Sequence, residues 1–314
     1  MRRKLLLALA NEPQEVHGYH PTMRFAVIAR RATATNVCLA AAPWGGVGGS
    51  LLPPREASRL LDAGDVALAR LDVRRTLDGV ERGLDVLPEL EERGVLVLNS
   101  SQALLGAHDK LLTARLLEGA GVPHPATHHI SGDELPRLDP PLVLKPRFGS
   151  WGRDVVLCSD SASVRNELAR LRRKTWFRKG GALAQALVPL KQRDMRVLVA
   201  GGRVVGGIQR LAARHEWRTN VALGGTRHPV VPPKEARRVA LAAAEAVGGD
   251  LVGIDLLPGT GGGFVALEVN GAVEFNAEYS LGRNVFAAVQ AALARPILSL
   301  RSKSIELARA AAGG

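Results

Sequence analysis

Two apolar stretches that carry acidic side chains constrain this chain of 314 residues more than any other feature. The stretches 251–257 and 264–270 flank the turn sequence Pro-Gly-Thr-Gly-Gly-Gly, which predicts an antiparallel hairpin. Alternation along a strand places Glu268 and Asn270 on one face. If the hairpin is symmetric about its loop, Asp255 lies opposite Glu268, with about 5 Å between their Cβ atoms. Three oxygen donors then converge on strands that are otherwise apolar.

Two explanations account for paired acidic residues at this spacing. Carboxylates held so close repel each other unless a cation lies between them, and Mg²⁺ prefers hard oxygen ligands of this kind. The alternative is structural, with Asp255 and Glu268 forming ion pairs with nearby arginines on a solvated face of the sheet. The residues alone leave both explanations open.

The first hundred residues alternate short apolar strands with helix-like segments, which is typical of a small parallel α/β unit. Residues 1–22 are expected to form a loose extension, and the glycine-rich stretch 44–50 is expected to form a flexible loop. The predicted elements are strands at 25–29, 66–71 and 95–98 and a helix over about 79–92.

Hairpins dominate the rest of the chain. The helix that opens at Lys110 ends at Gly119, and the proline-bounded strand 141–146 runs through a loop into a second strand at 155–158. Further predictions are a hairpin of strands 195–200 and 204–209 around Gly201-Gly202, a helix over 234–247 and a last helix over 284–294. The cluster His124, His128 and His129 lacks a recognisable metal-ligand spacing and is interpreted as a loop.

The tip of the proline-bounded hairpin reads Gly149-Ser150-Trp151-Gly152. Its backbone N–H groups could cradle phosphates, with Lys145 just before it and Lys110 nearby as charge donors. The alternative is an ordinary hairpin turn with surface lysines.

A third group of residues suggests anion recognition. Asp194 and Arg196 enter a predicted strand, and Arg210 ends its hairpin partner. Arg218 and Asn220 follow shortly afterwards in the segment Trp-Arg-Thr-Asn. Taken singly, such residues are more often polar groups on a surface or loop.

Composition restricts the classes of binding partner that the protein can have, and it says little about the fold. The formal net charge of +12 favours a polyanionic partner, which includes nucleic acid, an anionic membrane surface, an acidic protein and phosphorylated small molecules. There is no dense basic tail, so a dedicated nucleic-acid binder is disfavoured. No apolar run reaches the roughly 18 residues of a membrane span. Only Cys38 and Cys158 occur, far apart, which fits a reducing cytoplasm.

Together these motifs resemble the RimK/LysX family of ATP-grasp carboxylate–amine ligases, over about residues 95–295, and the glycine loop is most similar to the LysX branch. The motifs that carry the resemblance are, in order, Asn99 before Asp109-Lys110, the strand and loop Lys145-Pro-Arg-Phe-Gly-Ser-Trp-Gly-Arg, Asp194-Met-Arg196, Arg210 before Trp217-Arg-Thr-Asn220, and Asp255 with Glu268-Val-Asn270.

The resemblance implies a mixed α/β (α+β) chain with an ATP-grasp fold and a small N-terminal parallel α/β pre-ATP-grasp domain. The expected divisions are an extension at 1–22, the N-terminal domain at 23–100, a central subdomain with the mobile glycine loop at 101–184, a C-terminal subdomain with the metal site at 185–300, and a tail at 301–314.

The resemblance also implies roles for residues. Lys110, Lys145, Gly149, Ser150, Trp151, Gly152, Gln185, Leu187, Val188 and Asp194 would bind ATP. Asp255, Glu268 and Asn270 would hold Mg²⁺, with Mn²⁺ as the alternative ion. Arg210 and Arg196 would be catalytic, and Arg218, Asn220, Glu274, Phe275 and Asn276 would face the substrates.

The implied activity is ATP-dependent amide formation between an amino acid, glutamate or α-aminoadipate-like, and a carboxylate of a carrier protein or glutamyl peptide, through an acyl phosphate. An acidic carrier protein or glutamyl acceptor would also explain the charge of +12. One alternative is a ligase that adds glutamate to a small-molecule cofactor, and another is an inactive basic module that binds nucleotide or nucleic acid. The resemblance further implies a cytoplasmic homo-oligomer without a membrane partner.

Overall fold

The computed structural model describes residues 25–41, 49–189 and 191–294. The predicted extension at 1–22, the predicted tail at 301–314 and most of the glycine-rich stretch 44–50 lie outside the described residues. None of the helices in the described part of the chain is long and apolar enough to cross a membrane.

A four-stranded parallel sheet forms the N-terminal unit, as the alternating pattern predicts, with the strand order β2-β1-β3-β4. Its central strands are buried on both faces, which explains why they read as continuous apolar runs rather than alternating ones. The elements are β1 (Phe25–Ile28), α1 (Ala34–Ala41), β2 (Gly49–Leu52), α2 (Pro54–Leu60), β3 (Val66–Ala69), α3 (Val86–Glu92) and β4 (Leu96–Leu98).

Two predictions for this unit need correction. The helix expected over 79–92 begins only at Val86, because Gly79 and Gly83 adopt φ angles of 153° and 103°, which a helix cannot contain. The end of the glycine-rich stretch is not a loop, since Ser50 lies in β2 and pairs with Ala26 of β1.

Two consecutive helices, α4 (Ser101–His108) and α5 (Lys110–Gly119), connect this unit to the rest of the protein. Asp109 separates them and caps α5, because its side chain accepts hydrogen bonds from the first backbone N–H groups of that helix. Asn99, just before α4, is fully buried, and its amide donates to the carbonyls of Leu251 (2.8 Å) and Gly271 (3.1 Å). The N-terminal sheet is thereby tied to both strands of the acidic hairpin.

A smaller antiparallel sheet follows, in the order β5-β8-β6-β7, with α6 and α7 packed against it. Its bounds are β5 (Thr127–Ile130), β6 (Leu142–Pro146), β7 (Val156–Cys158), α6 (Ser161–Leu171), α7 (Thr175–Gly180) and β8 (Ala182–Ala186). The predicted hairpin of β6 and β7 is confirmed. The loop predicted around His128 and His129 is wrong, because both residues lie in β5 and pair with β8.

The larger antiparallel sheet has the order β11-β10-β9-β12-β13, and one face is covered by helix α8. Its elements are β9 (Arg193–Ala200), β10 (Arg203–Leu211), β11 (Thr226–Pro229), α8 (Lys234–Ala246), β12 (Leu251–Pro258) and β13 (Phe264–Asn270), followed by α9 at 285–294. The two predicted hairpins are confirmed, and Asp255 pairs directly with Glu268. The register shifts between Asp255 and Leu256, so the bulge lies immediately beside the acidic pair.

The limits of the predicted domains stay predictions. The sheets occupy residues 25–98, 127–186 and 193–270, and the predicted division at residue 184 falls inside β8.

Candidate active site

One cleft collects nearly all of the predicted site residues, although they come from several separate elements. The predicted residues that line it are Lys110, Lys145, Gly149, Ser150, Trp151, Gly152, Gln185, Leu187, Val188, Asp194, Arg196, Arg210, Arg218, Asn220, Asp255, Glu268, Asn270 and Glu274.

Phe275 and Asn276 do not line this cleft, and their role as substrate-facing residues stays a prediction. The ring of Phe275 is buried against Tyr279 and Phe286, with ring centroids 6.2 and 5.3 Å away, because an aromatic side chain gains more from core packing than from a polar cleft. Asn276 is exposed, and its side chain accepts a hydrogen bond from the backbone of Glu278.

Lys145 carries a buried amine on β6. Its Nζ donates a 2.7 Å hydrogen bond to Oε1 of Gln185, whose own amide donates to Oγ1 of Thr127 (2.9 Å). Burial, together with repulsion from Lys110, lowers the pKa of Lys145 to about 7, against an opposing attraction from Glu268. An arriving phosphate group would therefore find an amine that gains a proton on contact.

Lys110 opens α5 and connects the glycine loop to the acidic hairpin. Its Nζ donates to the carbonyl of Gly149 (2.6 Å) and lies 3.7 Å from Oε2 of Glu268. The neighbouring N-cap, Asp109, is held by Arg147, whose Nε donates to it at 2.7 Å. The first turn of α5 is therefore fixed on the loop that follows β6.

The glycine loop is held at its other end by Arg218. The Arg218 Nη1 donates to the carbonyl of Gly152 (3.0 Å), while its Nη2 pairs with Glu216 (2.7 Å). Gly152 has φ 70°, and a Cβ atom there would lie only 2.9 Å from Oδ1 of Asn220. The left-handed backbone favours glycine at this position, and a Cβ atom there would require the Asn220 side chain to move.

Four charged side chains, three of them buried and Arg196 partly buried, form a chain of ion pairs across three strands of the large sheet. Arg210 lies opposite Asp194, and Arg196 lies opposite Asp255, so each ion pair joins directly paired strands. Arg210 Nη2 bridges the two carboxylates, at 2.5 Å from Asp194 and 2.8 Å from Asp255, and Arg196 contacts Asp255 at 2.5 and 2.7 Å. Although burial opposes ionisation, Arg196 and Arg210 hold the pKa of Asp255 well below its usual range.

Both explanations of the acidic pair can now be compared with the contacts. Asp255 does form ion pairs with arginines, as the structural alternative expects, but it is buried rather than on a solvated face. Glu268 contacts Lys110 and remains partly exposed to the cleft. The amide nitrogen of Asn270 donates to the carbonyl of Gly253 (3.3 Å), so its oxygen is the atom available to a metal.

The donor set fits a divalent ion that also takes phosphate ligands. Within the described ranges, no group of three or more His, Cys, Asp or Glu side chains could hold a metal. Two carboxylates and one amide oxygen are too few for a closed protein site but match Mg²⁺, which takes one or two carboxylates and completes its shell with phosphate and water.

Some residues at the site were missed from the sequence. Thr219 donates to Asp194 at 2.5 Å, and its place in the Trp-Arg-Thr-Asn segment could have indicated it. Asp72 and His108 line the cleft from the N-terminal unit and from α4, and nothing near them in sequence signals this.

The structural comparison establishes the fold. The chain superposes on a RimK-domain ATP-grasp protein from Sphaerobacter thermophilus with a TM-score of 0.62 and 21% sequence identity, covering 86% of this chain and 98% of that one. The fold is ATP-grasp, as expected, and together with the relatives described next it defines an ATP-dependent carboxylate–amine ligase.

The sequence comparison gives the family. The sequence model of the RimK-like ATP-grasp domain family matches residues 107–293. The chain therefore belongs to this family. It is 31% identical over 250 residues to the tetrahydromethanopterin:alpha-L-glutamate ligase of Methanosarcina acetivorans, covering 69% of this chain and 77% of that protein. It is 33% identical over 183 residues to the alpha-aminoadipate–LysW ligase LysX of Sulfurisphaera tokodaii, covering 57% and 64% respectively.

Proposed function

We propose that this protein joins the amine of an amino acid, glutamate or an α-aminoadipate-like residue, to a carboxylate of a carrier protein or glutamyl peptide, through an acyl phosphate formed from ATP. The observation that carries the proposal is the chain of ion pairs Asp194–Arg210–Asp255–Arg196, in which Asp255 pairs with Glu268 across the hairpin, in the same cleft as Lys110 and Lys145.

The lysines and the glycine loop would hold the nucleotide. Lys145 and Lys110 supply positive charge on the β6 side of the cleft, and residues 149–152 supply backbone N–H groups. The segment Gln185–Val188 leaves β8 along the cleft wall and would carry the base. Phosphoryl transfer depends mainly on positioning and charge stabilisation, which are the properties that these groups provide.

The acidic hairpin would hold the metal. Asp255, Glu268 and Asn270 are the residues that would bind Mg²⁺ or Mn²⁺. When bound, the ion supplies charge neutralisation to the β- and γ-phosphates. Arg196 and Arg210 keep Asp255 ionised and fixed, so the carboxylate is already in place when the nucleotide arrives.

The chemistry then proceeds in two displacements. A carboxylate oxygen of the acceptor attacks the γ-phosphorus, and the bond from that phosphorus to ADP breaks. The amine nitrogen of the amino acid next attacks the acyl carbon and loses a proton, and phosphate leaves. Arg210, which lines the cleft and is fixed by two carboxylates, is the donor best placed to stabilise the charge that develops on oxygen.

Two candidates exist for the acceptor, the substrate that supplies the carboxylate. The charge of +12 supports an acidic carrier protein or a glutamyl chain. A second candidate, addition of glutamate to a small-molecule cofactor, is supported by the relative named tetrahydromethanopterin:alpha-L-glutamate ligase, of which the chain covers 77%. An inactive binding module is disfavoured, because such a module has no need for Asp255, a buried carboxylate kept ionised by two arginines. Homo-oligomerisation and a cytoplasmic location stay predictions.

The test is ADP release from ATP and Mg²⁺ with each amino acid in turn, with and without a peptide that ends in glutamate, followed by mass analysis of the products. We expect release that depends on one amino acid, an amide mass gain in the acceptor, and loss of at least a hundredfold in kcat with Glu268→Gln. The matched control is Glu92→Gln, on the exposed end of α3, which makes the same change of charge outside the cleft.

The negative outcomes separate the candidates. Tight ATP binding without turnover on peptides, together with turnover on a small acceptor, would favour the cofactor ligase. Glutamate-dependent release that persists in Glu268→Gln would remove the acidic hairpin from the mechanism. Absence of nucleotide binding would refute the proposal.

A further inference from the structure

Two side-chain nitrogens in the described part of the chain are buried without a hydrogen-bond partner, Nη1 of Arg70 and Nε2 of His108. A buried polar atom left unpaired costs about 1–3 kcal/mol, so native proteins rarely retain one without a reason. Both atoms lie beside the segment after β13, because a Cβ atom at Gly271 would lie 3.1 Å from Nε2 of His108 and Nη2 of Arg70 donates to the carbonyl of Val273 at 2.5 Å.

That neighbourhood lies where a parallel sheet characteristically offers a binding site. Arg70 and Asp72 follow β3 directly, at the carboxyl ends of the N-terminal strands. The strand order β2-β1-β3-β4 puts the change of winding direction between β1 and β3. Ligands of open α/β sheets bind outside the carboxyl ends of the strands at such a point. Asp72 and His108 line the cleft there, as does Glu274 from the segment after β13.

The neighbours of Arg70 accept hydrogen bonds from its Nε and Nη2 and leave its Nη1 without an acceptor. Its Nε donates to Oδ1 of Asn36 (2.6 Å) and its Nη2 to the carbonyl of Val273 (2.5 Å), with Oε1 of Glu274 3.8 Å away. Burial lowers the pKa of Arg70 to about 10, although Glu274 and Asp72 oppose the change, so the group stays cationic at neutral pH.

His108 supplies an acceptor. Burial lowers its pKa below the ordinary 6.5, so the ring is neutral at neutral pH. A neutral imidazole has one acceptor nitrogen, and Nε2 is the ring nitrogen that is buried without a protein partner. The ring lies next to the backbone that follows Asn270, since a Cβ atom at Gly271 would lie 3.1 Å from its Nε2.

We infer that Arg70, Asp72, His108 and Glu274 form the subsite for the head of the incoming amino acid, an inference that rests on the proposed ligase function. Arg70 Nη1 donates to the α-carboxylate, while Asp72, Glu274 and His108 Nε2 accept from the α-ammonium. One donor and three acceptors complement a zwitterionic head, since an ammonium carries three N–H donors. The set holds two negative groups and one positive group, so it repels the acceptor carboxylate and keeps the two substrates apart.

The test measures the KM of each substrate separately, with L-glutamate or L-α-aminoadipate as the amine, ATP, and a peptide that ends in glutamate. We expect Asp72→Asn to raise the KM of the amine at least tenfold and to change the KM values of ATP and the peptide less than twofold. Glu92→Gln, exposed on α3, is the control that changes the same charge and leaves all three constants within twofold.

A second comparison tests the role of Arg70. Removal of the α-carboxylate from L-glutamate gives 4-aminobutyrate, which the wild type is expected to use at least tenfold less efficiently in kcat/KM. In Arg70→Gln this preference falls to less than threefold, whereas a purely structural role of Arg70 would lower both efficiencies together and keep their ratio.

Three outcomes would overturn the inference. Unchanged amine KM in Asp72→Asn would mean that an ordered water alone satisfies the two orphaned atoms. A raised KM of the peptide instead would assign the subsite to the acceptor. If the wild type releases ADP with no amine, the proposed function fails and the inference with it, whereas turnover in the wild type without the variant effects refutes the inference alone.

Discussion

Replacement of Lys145 by methionine tests how much the buried amine of Lys145 destabilises the folded protein in the absence of ATP. The pKa of this amine falls from the ordinary 10.5 to about 7, chiefly through burial. At 1.36 kcal/mol per pKa unit, keeping the amine in the folded protein costs about 4 kcal/mol at pH 7 and about 2 kcal/mol at pH 9. Methionine removes this cost but leaves Oε1 of Gln185 without its partner, a loss of about 1–3 kcal/mol.

The sign of the pH dependence follows from the protons bound in each state. Between pH 7 and pH 10.5 the unfolded amine holds a proton and the folded amine does not, so this residue makes the wild type more stable as pH rises. Lys145→Met lacks this pH-dependent contribution to the free energy of unfolding. We therefore expect the variant to be more stable than the wild type at pH 7, by about 1–3 kcal/mol, and about equally stable at pH 9.

Urea unfolding of both proteins at pH 7 and pH 9 measures the difference in their free energies of unfolding at each pH. The dependence of this free energy on urea concentration should be the same for both proteins if the substitution changes only stability. The change in the difference between the two pH values, about 2 kcal/mol, does not depend on the lost hydrogen bond. A difference that is the same at both pH values would refute the buried, deprotonated amine. Addition of ATP and Mg²⁺ provides the functional control, since ligand stabilisation is expected in the wild type and not in Lys145→Met.

Two further substitutions test the charged chain and the loop. Asp194→Asn is expected to destabilise the protein by about 3 kcal/mol in urea unfolding, because it leaves Arg210 buried with one carboxylate fewer; an unchanged midpoint would contradict the role of this pair. We expect Gly152→Ala to lower kcat/KM for ATP at least tenfold, because Gly152 has φ 70° and a Cβ atom there would lie 2.9 Å from Asn220. We expect a smaller effect of Gly149→Ala, because the atom nearest to a Cβ at Gly149 is 3.5 Å away. Equal effects of the two alanines would show that backbone strain at Gly152 is irrelevant.

The acidic hairpin shows what local sequence can predict. Its strands are adjacent in the chain and share one short loop, so alternation and a constant sum of paired residue numbers suffice to place Asp255 opposite Glu268. The same reasoning predicted the hairpins of β6 with β7 and of β9 with β10. In each case the partner strand lies within a few residues, and no distant contact has to be known.

Elements that depend on distant partners were missed or misplaced. His128 and His129 look like loop residues, but β5 forms because it pairs with β8, more than fifty residues later. Phe275 follows the acidic motif closely, yet its ring packs against Tyr279 and Phe286 in the core. Neither outcome follows from a local pattern, because the competing gain comes from burial against residues elsewhere in the fold.

The sequence by itself determined the chemistry that this protein carries: a hairpin with three oxygen donors, a glycine loop with lysines beside it, and the order of motifs that identifies an ATP-grasp ligase. Only the tertiary structure decided how those groups are charged and what surrounds them. Asp255 is ionised because strand pairing brings Arg196 and Arg210 against it, and Lys145 loses its proton because the sheet buries it. Arg70 lies 3.8 Å from Glu274, and Asp72 and His108 line the same cleft as Glu274, because the fold brings together segments that are far apart in the chain.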